Sequence, residues 1–185
     1  HAWESWGEDC VRRFRGMFAF ALWDRNQQCL FMARDRIGVK PLYYALLDDG
    51  TLLFGSELKS LLAHGGLKRD IDPHAVEEYF ALGYVAEPRT IFKQALKMPP
   101  GHSLVVRHGQ PLAPPREFWD VRFTLSNAMS AEDAQEELVT RLKESVRLRM
   151  IAEVPLGAFL SGGVDSSAVV AMMAGQSEGP VNTCS

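Results

Sequence analysis

The sequence predicts an α+β unit followed by the beginning of an α/β unit with a parallel sheet. Short apolar runs separated by turn residues fill residues 14–54, which is typical of antiparallel strands joined by tight turns. After a proline-rich stretch, a long amphipathic pattern precedes a strand, a Gly/Ser loop and a helix, in that order. A second strand starting near Val181 completes a β-α-β pattern, which favours parallel pairing.

The composition argues against two classes of partner. Across 185 residues, 20 lysines and arginines against 23 aspartates and glutamates give a net charge of -3, without the basic excess typical of nucleic-acid binding. No apolar run approaches the roughly 18 residues that span a bilayer, so we expect no membrane partner. The three cysteines are an odd number without metal-ligand spacing, which predicts reduced thiols and a cytoplasmic location.

The first unit is predicted to open with a meander of strands. Residues 18–23 alternate large and small apolar side chains without a polar face, which predicts a central strand buried on both faces. Polar residues 24–28 form a turn before the next strand, at residues 29–33. Residues 48–50, Asp-Asp-Gly, form the turn between the two strands that follow. A further strand is expected at residues 103–106, after a Pro-Pro-Gly turn.

Two short helices are predicted between these strands. Ser56 is expected to cap a helix with a leucine face that ends at Gly65 and Gly66. Asp72 followed by Pro73 is a helix-start signal, and the helix is predicted to end at Gly83.

A stiff proline-rich stretch at residues 111–115 predicts the boundary between the units. The first domain is therefore expected at residues 1–115, a linker at 116–129 and the second domain at 130–185. Ser130, with an acidic residue three positions later, is typical of a helix start. Apolar residues then recur every four positions as far as Val146, which predicts an amphipathic helix.

The heptapeptide SGGVDSS, at residues 161–167, lies between the predicted strand and the last helix. A helix N-terminus presents unpaired N–H groups and partial positive charge, which suits a phosphate. The glycines allow close backbone approach, and three serine hydroxyls are hydrogen-bond donors. The segment contains no lysine, so it is not a Walker loop. A plain strand-to-helix connection with capping residues is the structural alternative.

Asp165 is the most informative residue of this segment. A carboxylate beside a phosphate repels it unless a divalent cation lies between them. The sequence therefore predicts Mg²⁺ at Asp165, bound together with a phosphate ligand.

SGGVDSS resembles the pyrophosphate loop of the N-type ATP pyrophosphatases, which cleave ATP to AMP and pyrophosphate while activating a carbonyl group as an adenylate. Further segments, in the same order along the chain, resemble glutamine-hydrolysing asparagine synthetase. They are residues 13–24, 33–44, 54–59, 99–102 and 154–160.

The resemblance implies the fold and the reaction of a longer enzyme. Residues 1–115 would be the second half of a class II glutaminase, an N-terminal-nucleophile sandwich of two sheets between helices, and residues from 130 would open the ATP pyrophosphatase domain. The implied reaction converts aspartate, glutamine and ATP to asparagine, glutamate, AMP and pyrophosphate, through a β-aspartyl-adenylate and channelled ammonia. The implied cofactors are ATP and Mg²⁺. The implied substrates are glutamine and either aspartate or a similar carboxylate, and a homodimer is a possible assembly.

The resemblance also implies which site residues this chain carries. The implied ATP and pyrophosphate contacts are Leu160, Ser161, Gly162, Gly163, Asp165, Ser166 and Ser167. The family's nucleophile is an N-terminal cysteine whose own α-amine acts as base, whereas this chain begins with His1 and the nitrogen of Cys10 is a peptide amide. We therefore expect neither a catalytic nor a glutamine-binding residue here, and no glutaminase activity from these 185 residues alone.

Three alternatives share these motifs. A paralogue amidating another carboxylate, for instance in exopolysaccharide or antibiotic assembly, would retain every motif. A β-lactam-forming synthetase is a second enzyme of the same ATP-cleaving group. A catalytically silent scaffold or dimerisation module is the alternative from a different class.

Overall fold

The computed structural model describes residues 1–124 and 129–185 and shows a mixed α/β protein of two compact units. The first unit is His1–Arg122 and the second is Phe123–Ser185. Part of the predicted linker, residues 125–128, lies outside the described residues.

The first unit combines three helices and a 3₁₀ helix with seven strands. Its helices are α1 (Ala2–Trp6), α2 (Leu58–Leu62) and α3 (Pro73–Leu82), and the 3₁₀ helix is Gly7–Arg13. Its strands are β1 (Ala19–Asp24), β2 (Cys29–Arg34), β3 (Tyr43–Leu46), β4 (Leu52–Gly55), β5 (Ala95–Lys97), β6 (His102–Arg107) and β7 (Arg116–Glu117). They form two antiparallel sheets, ordered β1-β2-β6-β7 and β4-β3-β5.

Alternating side chains of β2 divide the core into layers, because successive residues of a strand point to opposite faces. Phe31 packs with Trp3 of α1 on the outer face of the first sheet. Met32 packs on the opposite face with Tyr44 of β3, so this cluster fills the space between the sheets. On the far face of the second sheet, Ala45 packs with Leu61 of α2. The unit is therefore two sheets stacked between helical layers.

The prediction that residues 18–23 form a central strand buried on both faces is wrong. β1 lies at the edge of its sheet, paired only with β2 among the described residues. Its burial alternates, and the Trp23 side chain is 51% exposed. The alternation of large and small apolar residues marked two unequal faces of an edge strand.

The predicted cap of the first short helix is also wrong, although the helix exists. Glu57 takes the N-cap position of α2, and no side chain caps the helix. The predicted start and end of α3 are confirmed. The Asp72 carboxylate accepts a hydrogen bond from the His74 amide at 3.1 Å, and Gly83 ends the helix with a left-handed φ of 80°.

The first unit continues past the proline-rich stretch at residues 111–115. Strand β7 pairs with β6, and Phe118 is buried in the cluster around Phe31 and Trp3. The Phe118 amide donates to the Gly101 carbonyl at 2.8 Å. Residues 116–122, assigned to a linker from the sequence, are thus part of this compact unit.

The second unit consists of α4 (Ala131–Arg149), β8 (Gly157–Phe159), α5 (Val164–Ala174) and β9 (Asn182–Cys184). The predicted start of α4 is confirmed, because the Ser130 hydroxyl accepts from the Asp133 amide at 3.1 Å. Strands β8 and β9 pair in parallel, with Ala158 opposite Thr183. Helix α5 supplies the crossover that a parallel pair requires. Among the described residues, no helix combines the length and apolarity needed to cross a bilayer.

Candidate functional site

The residues predicted to bind a phosphate lie together where β8 ends and α5 begins. The Leu160 amide donates to the Cys184 carbonyl at 2.8 Å, which extends the parallel pairing by one residue beyond β8. The chain then turns through Ser161 and Gly162, and Gly163 is the N-cap of α5. All seven predicted residues therefore lie at one junction between a strand and a helix.

The turn depends on a glycine at residue 162. Gly162 has a φ of 78°, in the left-handed region where an L side chain is strained. An added Cβ would meet no atom within 4 Å, so backbone conformation rather than crowding selects glycine. Gly163 has extended backbone angles, with φ -74° and ψ 160°, as expected of an N-cap residue.

The helix begins earlier than the sequence suggested. Asp165, Ser166 and Ser167 belong to the first turn of α5 instead of the loop. The first intrahelical hydrogen bond runs from the Ser167 amide to the Gly163 carbonyl at 3.1 Å. The amides of residues 164–166 precede this bond and have no carbonyl partner within the helix. Their free hydrogens and the helix dipole make the turn suitable for an anion.

The serine hydroxyls interact in a way that the sequence analysis did not anticipate. The Oγ atoms of Ser161 and Ser166 are 3.0 Å apart. Ser166 Oγ donates to the Gly163 carbonyl at 3.1 Å, and the Gly163 amide donates to Ser161 Oγ at 3.4 Å. The only available sequence signal is the five-residue spacing of the two serines around the glycine pair.

The residues of the turn fit a magnesium-bound phosphate better than a metal alone. Asp165 is exposed in the first turn, and no group of three or more metal-binding side chains occurs among the described residues. Magnesium is commonly held by one or two carboxylates together with phosphate oxygens and water. The Asp165 carboxylate could supply the protein ligand of such an ion, and the neighbouring amides could hold the phosphate.

Cys10 is unsuited to nucleophilic chemistry. It lies in the 3₁₀ helix of the first unit with only 2% of its surface exposed. Burial raises the pKa of its thiol above the ordinary value, although hydrogen bonding to the Val11 amide partly opposes that shift. The reactive thiolate is therefore disfavoured at neutral pH.

Family models match both units of the chain. A glutamine amidotransferase domain matches residues 1–119, and an asparagine synthase domain matches residues 137–185. The first match alone covers more than half of the 185 residues.

Individual relatives align with nearly the whole chain. Asparagine synthetase [glutamine-hydrolyzing] 3 of Bacillus subtilis is 38% identical over 96% of this chain and 28% of its own length. A putative asparagine synthetase of Methanocaldococcus jannaschii is 38% identical over 90% of the chain and 32% of its own length. Amidase chyE of Penicillium rubens is 38% identical over 93% of the chain and 25% of its own length. The chain thus spans between a quarter and a third of these relatives. It belongs to the glutamine-hydrolysing asparagine synthetase family, with a glutamine amidotransferase domain followed by an asparagine synthase segment.

Proposed function

We propose that the full-length protein amidates aspartate, using ammonia from glutamine and energy from cleaving ATP to AMP and pyrophosphate. The observation that carries this proposal is the turn at residues 161–167, which joins a parallel strand pair to a helix N-terminus in a chain of the asparagine synthetase family. The unpaired amides suit the β- and γ-phosphates, and the segment lacks the lysine of a Walker loop. This arrangement leaves the α-phosphate for attack by the substrate carboxylate.

Each part of the turn has a distinct role in this proposal. The first-turn amides and the Ser167 hydroxyl bind and orient the pyrophosphate portion of ATP. They also stabilise the negative charge that develops on departing pyrophosphate, because their dipoles are already fixed in place. The Asp165 carboxylate would hold Mg²⁺, which would supply positive charge that offsets the repulsion between the carboxylate and the phosphates. Leu160 contributes through its backbone, which ties the turn to β9.

The proposal includes the finer assignment of both units. The first unit has the sheet-on-sheet layering of an N-terminal-nucleophile glutaminase, and its domain would run to about residue 122 instead of 115. The segment β8-α5-β9 would open the sheet of an ATP pyrophosphatase domain. A cytoplasmic location accords with three cysteines present as free thiols.

A second candidate is amidation of a carboxylate other than aspartate. Its support is that two of the relatives, from Penicillium rubens and Gibberella zeae, are named amidases at 38% and 35% identity. The turn at residues 161–167 serves either substrate, because it binds the nucleotide instead of the acceptor.

Product analysis of the full-length protein tests the proposal. With glutamine, ATP and aspartate, we expect AMP, pyrophosphate and asparagine in equal amounts. Formation of ADP and phosphate without pyrophosphate would exclude the assignment of the turn. Pyrophosphate release that requires a different carboxylate, with isotope-labelled amide nitrogen in that acceptor, would select the second candidate.

A further inference from the structure

The hydroxyls of Ser161 and Ser166 form a closed set of hydrogen bonds that begins and ends on Gly163. The Gly163 amide donates to Ser161 Oγ, and Ser166 Oγ donates to the Gly163 carbonyl. The two Oγ atoms are 3.0 Å apart, within hydrogen-bond distance. Gly162, with its left-handed φ, lies between Ser161 and Gly163 along the chain.

The proton on each hydroxyl can be assigned by elimination. A serine hydroxyl has one hydrogen and two lone pairs. Ser166 uses its hydrogen on the Gly163 carbonyl, so the hydrogen between the two oxygens must come from Ser161. All three bonds are satisfied only by this arrangement. Removing either hydroxyl therefore breaks the bond between the serines and opens the ring.

Ser167 provides a comparison within the same helical turn. Its amide bonds to the Gly163 carbonyl, but its hydroxyl has no hydrogen-bond partner among the described residues. Ser167 thus keeps a free donor, whereas both hydroxyl hydrogens of the ring are already engaged.

We infer that Ser161 and Ser166 act as one coupled positioning pair, which holds the Gly162-Gly163 backbone in its anion-binding shape before a phosphate arrives. This inference rests on the proposed function, since it concerns the same turn. It differs in treating the two serines as a single energetic unit instead of two separate phosphate contacts. Fixing the turn in advance lowers the conformational entropy lost on binding.

A double-mutant cycle in the full-length protein tests the coupling, with magnesium pyrophosphate as the calorimetric probe. Ser161→Ala and Ser166→Ala are each expected to weaken binding about fivefold, because either substitution removes the bond between the serines and opens the ring. The double variant should also lose about fivefold, because the first substitution has already opened the ring. A loss near 25-fold, the product expected of independent contacts, would overturn the inference.

Ser161→Ala combined with Ser167→Ala is the matched control cycle, since these serines share no hydrogen bond among the described contacts. The fold-losses in pyrophosphate binding caused by these two substitutions are expected to multiply in the double variant. Ser161→Thr, which retains a hydroxyl, should bind pyrophosphate like the wild type, whereas a loss equal to that of alanine would contradict the ring.

Hydrogen exchange of the Gly163 amide, measured without ligand, gives a second readout of the pair. Exchange should accelerate to a similar extent in Ser161→Ala, Ser166→Ala and the double variant. Unchanged exchange in both single variants would overturn the inference. Failure of the wild-type protein to bind magnesium pyrophosphate would contradict the proposed function. The exchange measurement would still test whether Ser161 and Ser166 are coupled, because it needs no ligand.

Discussion

Asp35 shows how a charged motif residue serves the fold at the scale of single side chains. Its buried carboxylate accepts from the amides of Val39 and Lys40 at 3.0 and 2.9 Å, and from Phe18 at 3.3 Å. Neighbouring Arg34 is also buried and donates to three carbonyls of the same region. These charges fix the turn that follows β2, and satisfying buried amides is their evident role.

Asp35→Ala is therefore expected to lower the free energy of unfolding by about 3 kcal/mol, because buried amides lose their acceptors. Urea denaturation of the first unit measures the change. Asp49→Ala is the control, since that exposed carboxylate accepts chiefly from the Thr51 amide, and we expect a much smaller loss. Equal losses in the two variants would contradict the structural role of Asp35.

Asp24 gives a prediction about pH. Its carboxylate accepts from the Trp3 indole at 2.6 Å and from the Gln27 amide at 2.9 Å, and these bonds lower its pKa, with the indole as the larger cause. Because the pKa of Asp24 is lower in the folded state, the carboxylate stabilises the fold at pH values above its unfolded-state pKa of about 3.9. That stability is lost as the pH falls through the folded-state pKa. Asp24→Asn should thus be less stable than wild type at neutral pH. The difference in melting temperature between Asp24→Asn and the wild type should shrink below about pH 4. A difference that stays constant with pH would contradict the prediction.

Asp165→Asn separates chemistry from folding. Asparagine keeps the size and remains compatible with the first turn of α5, so the melting curve of the full-length protein should be nearly unchanged. ATP–pyrophosphate exchange should fall by several orders of magnitude, because the proposed carboxylate ligand of Mg²⁺ is lost. Glutamate release should persist, since the proposed glutaminase reaction belongs to the glutamine amidotransferase domain. Near-normal exchange would reduce Asp165 to a structural role in the first turn of α5.

At the scale of elements, α3 isolates the contribution of one cap. Asp72→Ala removes the acceptor for the His74 amide and is expected to cost about 1 kcal/mol of stability. Asp72→Asn retains a capping oxygen and should cost much less. Thermal unfolding of the two variants makes the comparison. Equal losses for asparagine and alanine would indicate that charge, instead of the hydrogen bond, holds the helix start.

The elements that sequence could predict are those determined by local chemistry. The cap at Asp72, the left-handed Gly83 and the cap at Ser130 each act within a few residues, and all three are confirmed. The position of β1 at a sheet edge depends instead on which strands pair with it, and among the described residues only β2 does. No local sequence pattern encodes that pairing. Similarly, residues of the candidate turn were recognisable by type and order, whereas the bond between Ser161 and Ser166 depends on their three-dimensional approach.

At the scale of the molecule, the boundary between the units depends on packing beyond the proline-rich stretch. Proline residues at 111–115 predict a stiff connection from composition alone. The chain nevertheless returns to the first sheet through β7, and the Phe118 ring then completes the core cluster of α1 and β2. A linker prediction based on composition cannot detect one aromatic anchor that lies past the prolines.

Two phenylalanines on either side of the boundary test where the first unit ends. Phe118 is 7% exposed and Phe123 is 93% exposed, so the same substitution samples a core position and a solvated one. Phe118→Ala should lower the free energy of unfolding of the first unit by about 3 kcal/mol, since it leaves a cavity beside Phe31. Phe123→Ala should change it by no more than about 0.5 kcal/mol. Urea denaturation followed by tryptophan fluorescence reports this transition, because Trp3 lies in the same cluster. Two equally small changes would restore the linker to residues 116–129, whereas a large effect at Phe123 would show that the first unit extends beyond Arg122.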